Sequence, residues 1–402
     1  MKRTIICLLT VFLLSTSSAL AQTVREQVVA PERISETYTS NTGRTTITLD
    51  ACVSVPDAAE MYLIPVTAKA FDDAMVSSLA ELIWPGLGGR KIEVGEGNET
   101  ASLEGVMMKG FWRHHASVIR RATPKDDIHV QVNNTYLKLK DMDGVYGCSL
   151  TANIQYDTRY RLKQTINYDN PYMHDKVTGE GIEGHPLTSA QAVEIAQTLL
   201  RTLNDEPFVP FAVGQAPGII HDDERILAGT EDQGTGYSYA LAFAHEVEGA
   251  PLLPCYYQSM STHSWRDDLY TLPVGYEQIL MAINREGRIT NFMWSDPYTL
   301  GDAREAQRLM PFEQILSVAQ QVMPLKYQWK EAHGGEISIR ITDVALGYMA
   351  LLQRDKLSFA LTPIWNFYGN IEDSAEQSRS GVLPLFTVNA VDGTVADLEY
   401  GY

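Results

Sequence analysis

The residues most able to do chemistry are scattered. Of nine histidines, only His114 and His115 are adjacent, in the run FWRHHASVIRR. A metal site on a helix wants histidines at i and i+4 with a carboxylate beside them, and sequence neighbours point apart on a helix or a strand. The pair reads as part of a solvated basic face. AHEVEG, around His245, begins like the helix of a zinc protease but lacks the second histidine and sits in a strand-like run. KDMDGVYG, with Asp141 and Asp143, holds a fragment of a calcium loop without the distal glutamate, and reads as a turn. Asp222, Asp223 and Glu224 in HDDER are consecutive acids in a polar stretch, the pattern of a solvated loop. Gly86, Gly88 and Gly89 follow a helix-like segment and lack the Lys-Ser/Thr ending of a phosphate loop. No G-x-S-x-G nucleophile elbow occurs. The expectation is therefore no catalytic residue, no metal and no cofactor.

The aromatic residues carry more weight. Trp265 and Tyr270 lie in a polar excursion, Ser261 to Gly275, with Trp265 among charges in SWRDDLY. Trp294 and Tyr298 follow a hairpin, and Trp365 and Tyr368 end a strand-like run. Tyr and Trp join apolar area to a polar handle and so favour interfaces and ligand clefts. These six are the candidate binding residues, Trp265 first. A core role for Trp294 and Trp365 competes with that reading, because both follow alternating apolar runs.

Spacing predicts the elements that must position them. Phe71 to Trp84 is helical, with Phe71, Met75, Val76, Leu79, Leu82 and Ile83 on one stripe, stopped by Pro85 and GLGG. A second helix follows Leu187, with a T-x-x-Q capping box at Thr188 and Gln191 and a stripe through Ala192, Ala196, Leu199 and Leu203. A third starts near Pro311, and Pro324 is expected to end it. Strands are expected at Thr45 to Val55, Ile128 to Leu139, Tyr146 to Tyr168, Tyr237 to Glu246, Leu252 to Ser259, Ile337 to Met349 and Leu357 to Phe367, with a loop from Gly369 to Ser380. The second half reads as a unit occurring twice. Its copies close on ILMAINREGRITNFMW and LFTVNAVDGTVADLEY, each a hairpin with an Asn before its turn and a Gly closing it.

Lys2, Arg3, the apolar run Ile5 to Leu14 and Ala19-Leu20-Ala21 form a secretory signal pattern, so residues 1–21 are expected to be removed. No later run approaches 18 apolar residues, so no integral membrane segment is expected after cleavage. The formal charge of −18 disfavours nucleic acid and anionic lipid as partners. Beyond Cys7, three cysteines remain, Cys52, Cys148 and Cys255: at most one pair, for which Cys52 with Cys148 is the leading combination, or small buried residues.

The helix LTSAQAVEIAQTLL, its following strands, the turn EGAP and the hairpin INREGRI resemble PepSY-type domains, small exported modules of helix plus antiparallel sheet. GYEQILMAINREG, LMPFEQIL, ITDVALGYMALLQ, LTPIWNFYG and VNAVDGTVADLEYGY also resemble an uncharacterised family of secreted proteins and lipoproteins of Gram-positive gut anaerobes. No cysteine stands at the cleavage point, so secretion or surface exposure without a lipid anchor is expected. The expected fold is α+β: signal 1–21, flexible leader 22–45, an N-terminal α+β domain 46–178, and two PepSY-like helix-on-antiparallel-sheet repeats, 186–300 and 301–402. The expected function is recognition of a protein or peptide at the cell surface. A glycan-binding module and a secreted hydrolase with dispersed carboxylates are the alternatives, and protease inhibition is a further idea suggested by the occurrence of PepSY-like domains in propeptides.

Overall fold

The computed structural model describes residues 23–83, 181–203, 207–220, 236–253, 277–331, 336–353, 358–373 and 379–396, together with seven strands between 91 and 162. The chain opens with helix α1 (Val24–Val28) and strands β1 (Arg33–Thr39), β2 (Thr45–Ser54) and β3 (Tyr62–Ala68). A helix followed by an antiparallel meander then occurs three times. The first copy is α2 (Asp73–Ile83), β4 (Lys91–Glu99), the small hairpin β5 (Ser102–Leu103) and β6 (Val106–Met107), β7 (Phe111–Thr123), β8 (Asp126–Leu139) and β9 (Met142–Gln155), with β10 (Tyr160–Leu162) after it. The second is α3 (Ser189–Leu203), β11 (Phe208–Ile220), β12 (Gly236–Val247), short β13 (Ala250–Pro251), β14 (Gln278–Ile283) and β15 (Ile289–Ser295). After the short strands β16 (Tyr298–Leu300) and β17 (Glu305–Ala306) comes the third: α4 (Phe312–Glu331), β18 (Ile337–Leu352), β19 (Phe359–Asp373), β20 (Arg379–Asn389) and β21 (Val395–Ala396).

The protein is α+β, as expected, but its sheets do not follow chain order. A ten-stranded sheet runs β10-β11-β12-β14-β15-β9-β8-β7-β4, with short β13 on β12 and the first two copies joined antiparallel through their last strands, Asn291 opposite Asn153 and Ser295 opposite Ser149. A nine-stranded sheet runs β1-β2-β18-β19-β20-β21, with β3 on β19 and β16 and β17 on β3. Residues 33–68 thus belong with the third copy, and β2 pairs with β18 in parallel. The expected N-terminal domain is split between the two sheets. The expected flexible leader contains α1 and β1. Thr23 caps α1 through a capping box with Glu26, and Val24, Val28 and Ile34 enter the core of the nine-stranded sheet. That segment is locally polar, and long-range burial orders it.

Helices α2 and α3 share one face of the ten-stranded sheet, where Val76, Leu79, Ala192, Ala196 and Leu200 pack with Phe243, Phe292 and Trp294. Helix α4 covers the nine-stranded sheet with Ile315, Ala319 and Met323 on Ile47, Leu49, Ile339 and Phe367. It runs through the buried Pro324 to Glu331 instead of stopping there. Proline removes one backbone bond, and the stripe continues past it to Tyr327, whose hydroxyl donates to the Leu385 carbonyl at 2.9 Å. On β18 the core-facing residues change from odd (Ile337, Ile339, Ile341) to even (Val344, Leu346, Tyr348) across a bulge between Ile341 and Asp343. The expected loop from Gly369 is largely strand, with Gly369, Asn370 and Ile371 opposite Gly381, Ser380 and Arg379.

The hairpin signature recurs in three dimensions. Asn284 Oδ1 accepts from the Glu286 and Arg288 amides, and Asn389 Oδ1 accepts from the Val391 amide. Gly287 (φ 73°) and Gly393 (φ 74°) take the left-handed conformation, each against its own copy's helix or the residues leading into it. Between the sheets, a two-residue turn at Glu248 (φ 50°) and Gly249 (φ 79°) leads β13 onto β18. There the Leu253 amide donates to the Tyr348 carbonyl and the Tyr62 amide to the Tyr348 hydroxyl, both at 2.8 Å.

Candidate functional site: an open sheet edge

Trp265 and Tyr270 lie outside the described residues, as do Asp222, Asp223 and Glu224. The other four candidate residues are buried, in two pairs close in sequence, Trp294 with Tyr298 and Trp365 with Tyr368, on three strands of the two sheets. Tyr298 begins β16. Trp365, on β19, has no exposed surface and stacks against Phe312 with ring centroids 4.8 Å apart. Tyr368 faces the other side of that sheet, accepting from Asn366 Nδ2 at 3.0 Å, while Asn366 Oδ1 accepts from the Thr387 hydroxyl at 2.6 Å. Trp294, on β15, donates from Nε1 to Glu277 Oε1 at 3.0 Å. Trp294 and Trp365 sit where a core role places them.

Glu277 is the residue that sequence reading missed. Its other oxygen, Oε2, lies 2.9 Å from His245 Nδ1, and the two side chains are 1% and 2% exposed. With both carboxylate oxygens accepting, the shared hydrogen is assigned to Nδ1. An imidazole oriented by a carboxylate is the geometry of a general base. Here Phe208 lies tilted against the imidazole at 5.1 Å and meets Trp294 edge to face at 5.6 Å, and Phe71 meets Trp294 edge to face at 5.4 Å. The group is enclosed by aromatic rings. It ties β11, β12, β14 and β15 to the approach of α2. Only the position of Glu277, just before an apolar strand, hinted at this role.

The exposed chemistry sits on β1. Its register with β2 runs from Arg33 opposite Cys52 to Thr39 opposite Thr46. The Val53 amide donates to the Glu32 carbonyl at 2.9 Å and the Ser40 amide to the Thr45 carbonyl at 2.8 Å. In an antiparallel ladder, hydrogen-bonded pairs alternate with non-bonded ones. The even residues of β1 therefore bond β2, and the N–H and C=O groups of Arg33, Ser35, Thr37 and Thr39 point away from the sheet. Among the described residues no strand pairs with that edge.

Side chains divide the edge into two faces. On the helix-free face Ser35, Thr37 and Thr39 are exposed, and hydroxyl rows continue inward through Thr48, Thr46 and Ser338. Arg33 closes that face by clasping Asp50 from Nη2 at 2.5 Å, with Arg340 3.8 Å from the other carboxylate oxygen. The Arg33 hydrogen bond and charge hold the Asp50 carboxyl below its ordinary range. On the α4 face Ile34 is buried, Tyr38 is half-buried with its hydroxyl 3.9 Å from Met323 Sδ, and Glu36 is exposed, accepting from Gln320 Nε2. Burial pushes the Tyr38 phenol up, and the Glu36 charge adds to it. The alternation of Ile34 and Tyr38 among Thr and Ser was a strand signal, hidden by the low apolar content of the segment.

Cys52, opposite Arg33, is a free, exposed thiol, so it neither pairs with Cys148 nor packs in a core. Among the described residues no cluster of His, Cys, Asp or Glu is arranged to hold a metal ion, and no helix is long and apolar enough to cross a membrane. Comparison with family models, with curated proteins and with solved structures finds no match to this chain.

Proposed function

We propose that this chain is an exported recognition or regulatory module, acting without covalent chemistry, that engages a protein or peptide at the cell surface. The observation that carries this reading is the open edge of β1: seven residues with one side unpaired among the described residues and no proline, lysine or bulge within the strand to blunt it. Such an edge binds an extended chain through backbone hydrogen bonds. The enclosure of His245 and Glu277 supports the same reading, since a substrate has no access to the one described dyad with catalytic geometry. On this reading the helix-on-meander copies are PepSY-like units that act as a rigid scaffold for the edge.

The test is affinity capture with residues 22–402 from envelope and secreted extracts of the source organism, with a glycan array and a hydrolase substrate panel in parallel. A discrete protein or peptide, retained through washing, supports the module. If Trp265→Ala abolishes capture without changing the melting temperature, the excursion makes the contact. A glycan hit alone would replace this reading with carbohydrate binding, and turnover of a substrate would replace it with a hydrolase.

A further inference from the structure

We infer that the edge of β1 is the docking site for one class of partner: an extended, cationic peptide segment that adds as a further strand outside Arg33–Thr39. The inference rests on the recognition reading above and specifies where and what the module binds.

Three features of the edge define the occupant. First, the outward N–H and C=O groups of Arg33, Ser35, Thr37 and Thr39 alternate over seven residues, a length that accepts a strand of five to seven residues. Second, the exposed face continues as rows of hydroxyls, Thr37 beside Thr48 and Thr39 beside Thr46, so a bound strand extends those rows best with Thr or Ser, which pair across strands by hydrogen bonding. Third, charge on the other face selects a cation. Arg33 is paired with Asp50, whereas Glu36 meets, among the described residues, the neutral amide of Gln320. A Lys or Arg opposite Glu36 supplies the missing charge. The formal charge of −18 draws cationic segments toward the whole molecule and disfavours a second copy of the chain in the same place.

The backbone directions also supply a selective block. The Thr37 amide points outward, so Thr37→Pro leaves every β1–β2 hydrogen bond in place while removing a donor from the edge and filling it with the pyrrolidine ring.

The experiment uses the whole mature chain and two synthetic capped heptapeptides, one alternating Thr and Lys and one alternating Thr and Glu. The readout is residue-resolved amide hydrogen exchange by NMR, with titration for affinity. In the free protein the Ser35, Thr37 and Thr39 amides should exchange quickly, and those of Ile34, Glu36 and Tyr38 slowly. Saturating Thr–Lys peptide should slow the first set at least tenfold. Thr37→Pro should weaken binding at least tenfold at an unchanged melting temperature, and Glu36→Gln should weaken it several-fold. The inference is overturned if the Thr–Lys peptide fails to protect these amides, if the Thr–Glu peptide binds equally well, or if Thr37→Pro leaves affinity unchanged. It is also overturned if the same amides become protected with rising protein concentration alone, which would assign the edge to a dimer. A captured partner that survives Thr37→Pro would sink this inference and leave the recognition reading standing; no partner and no peptide binding would sink both.

Discussion

Replacing Glu277 tests whether the enclosed His245–Glu277–Trp294 group is structural. Glu277→Leu keeps a side chain of comparable bulk and removes both acceptors, leaving His245 Nδ1–H and Trp294 Nε1–H without partners in a site 1–2% exposed. Each buried donor left unsatisfied costs about 1–3 kcal/mol, so the gross loss is about 2–6 kcal/mol. Burying the leucine returns about 2 kcal/mol, so the middle of that range leaves a net loss of about 2 kcal/mol. Glu277→Gln behaves differently. Its carbonyl still accepts from Trp294, and its amide donates to His245 once that ring moves its proton to Nε2, so only charge assistance is lost, about 1–2 kcal/mol. Urea unfolding followed by tryptophan fluorescence and circular dichroism measures both. A double-mutant cycle of Glu277→Leu with His245→Phe should show coupling above about 1 kcal/mol. The reasoning is refuted if Glu277→Leu lies within about 0.5 kcal/mol of the parent, or if the leucine and glutamine variants lose the same amount.

The two buried tryptophans should answer the same substitution differently. Trp294→Phe breaks a bond to a carboxylate and should cost about 2–4 kcal/mol, whereas Trp365 Nε1 is buried without a hydrogen-bond partner, so Trp365→Phe relieves an orphaned donor and should fall within about 1 kcal/mol of zero. Denaturant midpoints decide it. Tyr348 predicts an alkaline limit, because burial pushes its phenol from an ordinary value of 10.0 to about 12. Above pH 10 the unfolded chain ionises this group and the folded chain does not, so stability present below pH 10 falls by up to about 3 kcal/mol by pH 12. Tyr348→Phe should flatten that limb in a pH series of urea melts. At Gly347 a Cβ would lie 2.6 Å from the Pro251 carbonyl oxygen and from Leu253 Cγ. Gly347→Ala should therefore cost about 1–3 kcal/mol and expose the Leu253 amide to exchange before any other in the joint between the sheets.

Local chemistry was readable from the residues, and long-range pairing was not. The Thr188–Gln191 box forms both of its hydrogen bonds, at 2.8 and 3.2 Å, and Asn284, Gly287, Asn389 and Gly393 shape the turns their types demand. Each of those outcomes depends on residues within a few positions of one another. The parallel pairing of β2 with β18 depends on residues almost three-quarters of the chain apart, and no periodicity reports it. The edge of β1 was lost for the same reason: five polar residues around Ile34 and Tyr38 look like a leader until β2 and α4 supply their core. Pro324 misled in the opposite direction, since a helix breaker is overruled when the helix has a sheet to lie on.

The parallel bond between β2 and β18 also sets a schedule. Roughly 280 residues separate the two strands, which at about 5–20 residues per second of synthesis is a wait of about 15–60 seconds. Through that interval Ile47, Leu49 and Ala51 lack the helix and the central strand that bury them in the finished sheet, which have not been made. The first strands assembled are the last to be enclosed, so the nine-stranded sheet closes only when both ends of the polypeptide are together. A chain with this wiring gains from being held unfolded until it is complete, and a nick anywhere between residues 69 and 297 would leave the two halves of that sheet associated by strand pairing and by the packing of α4 on β2.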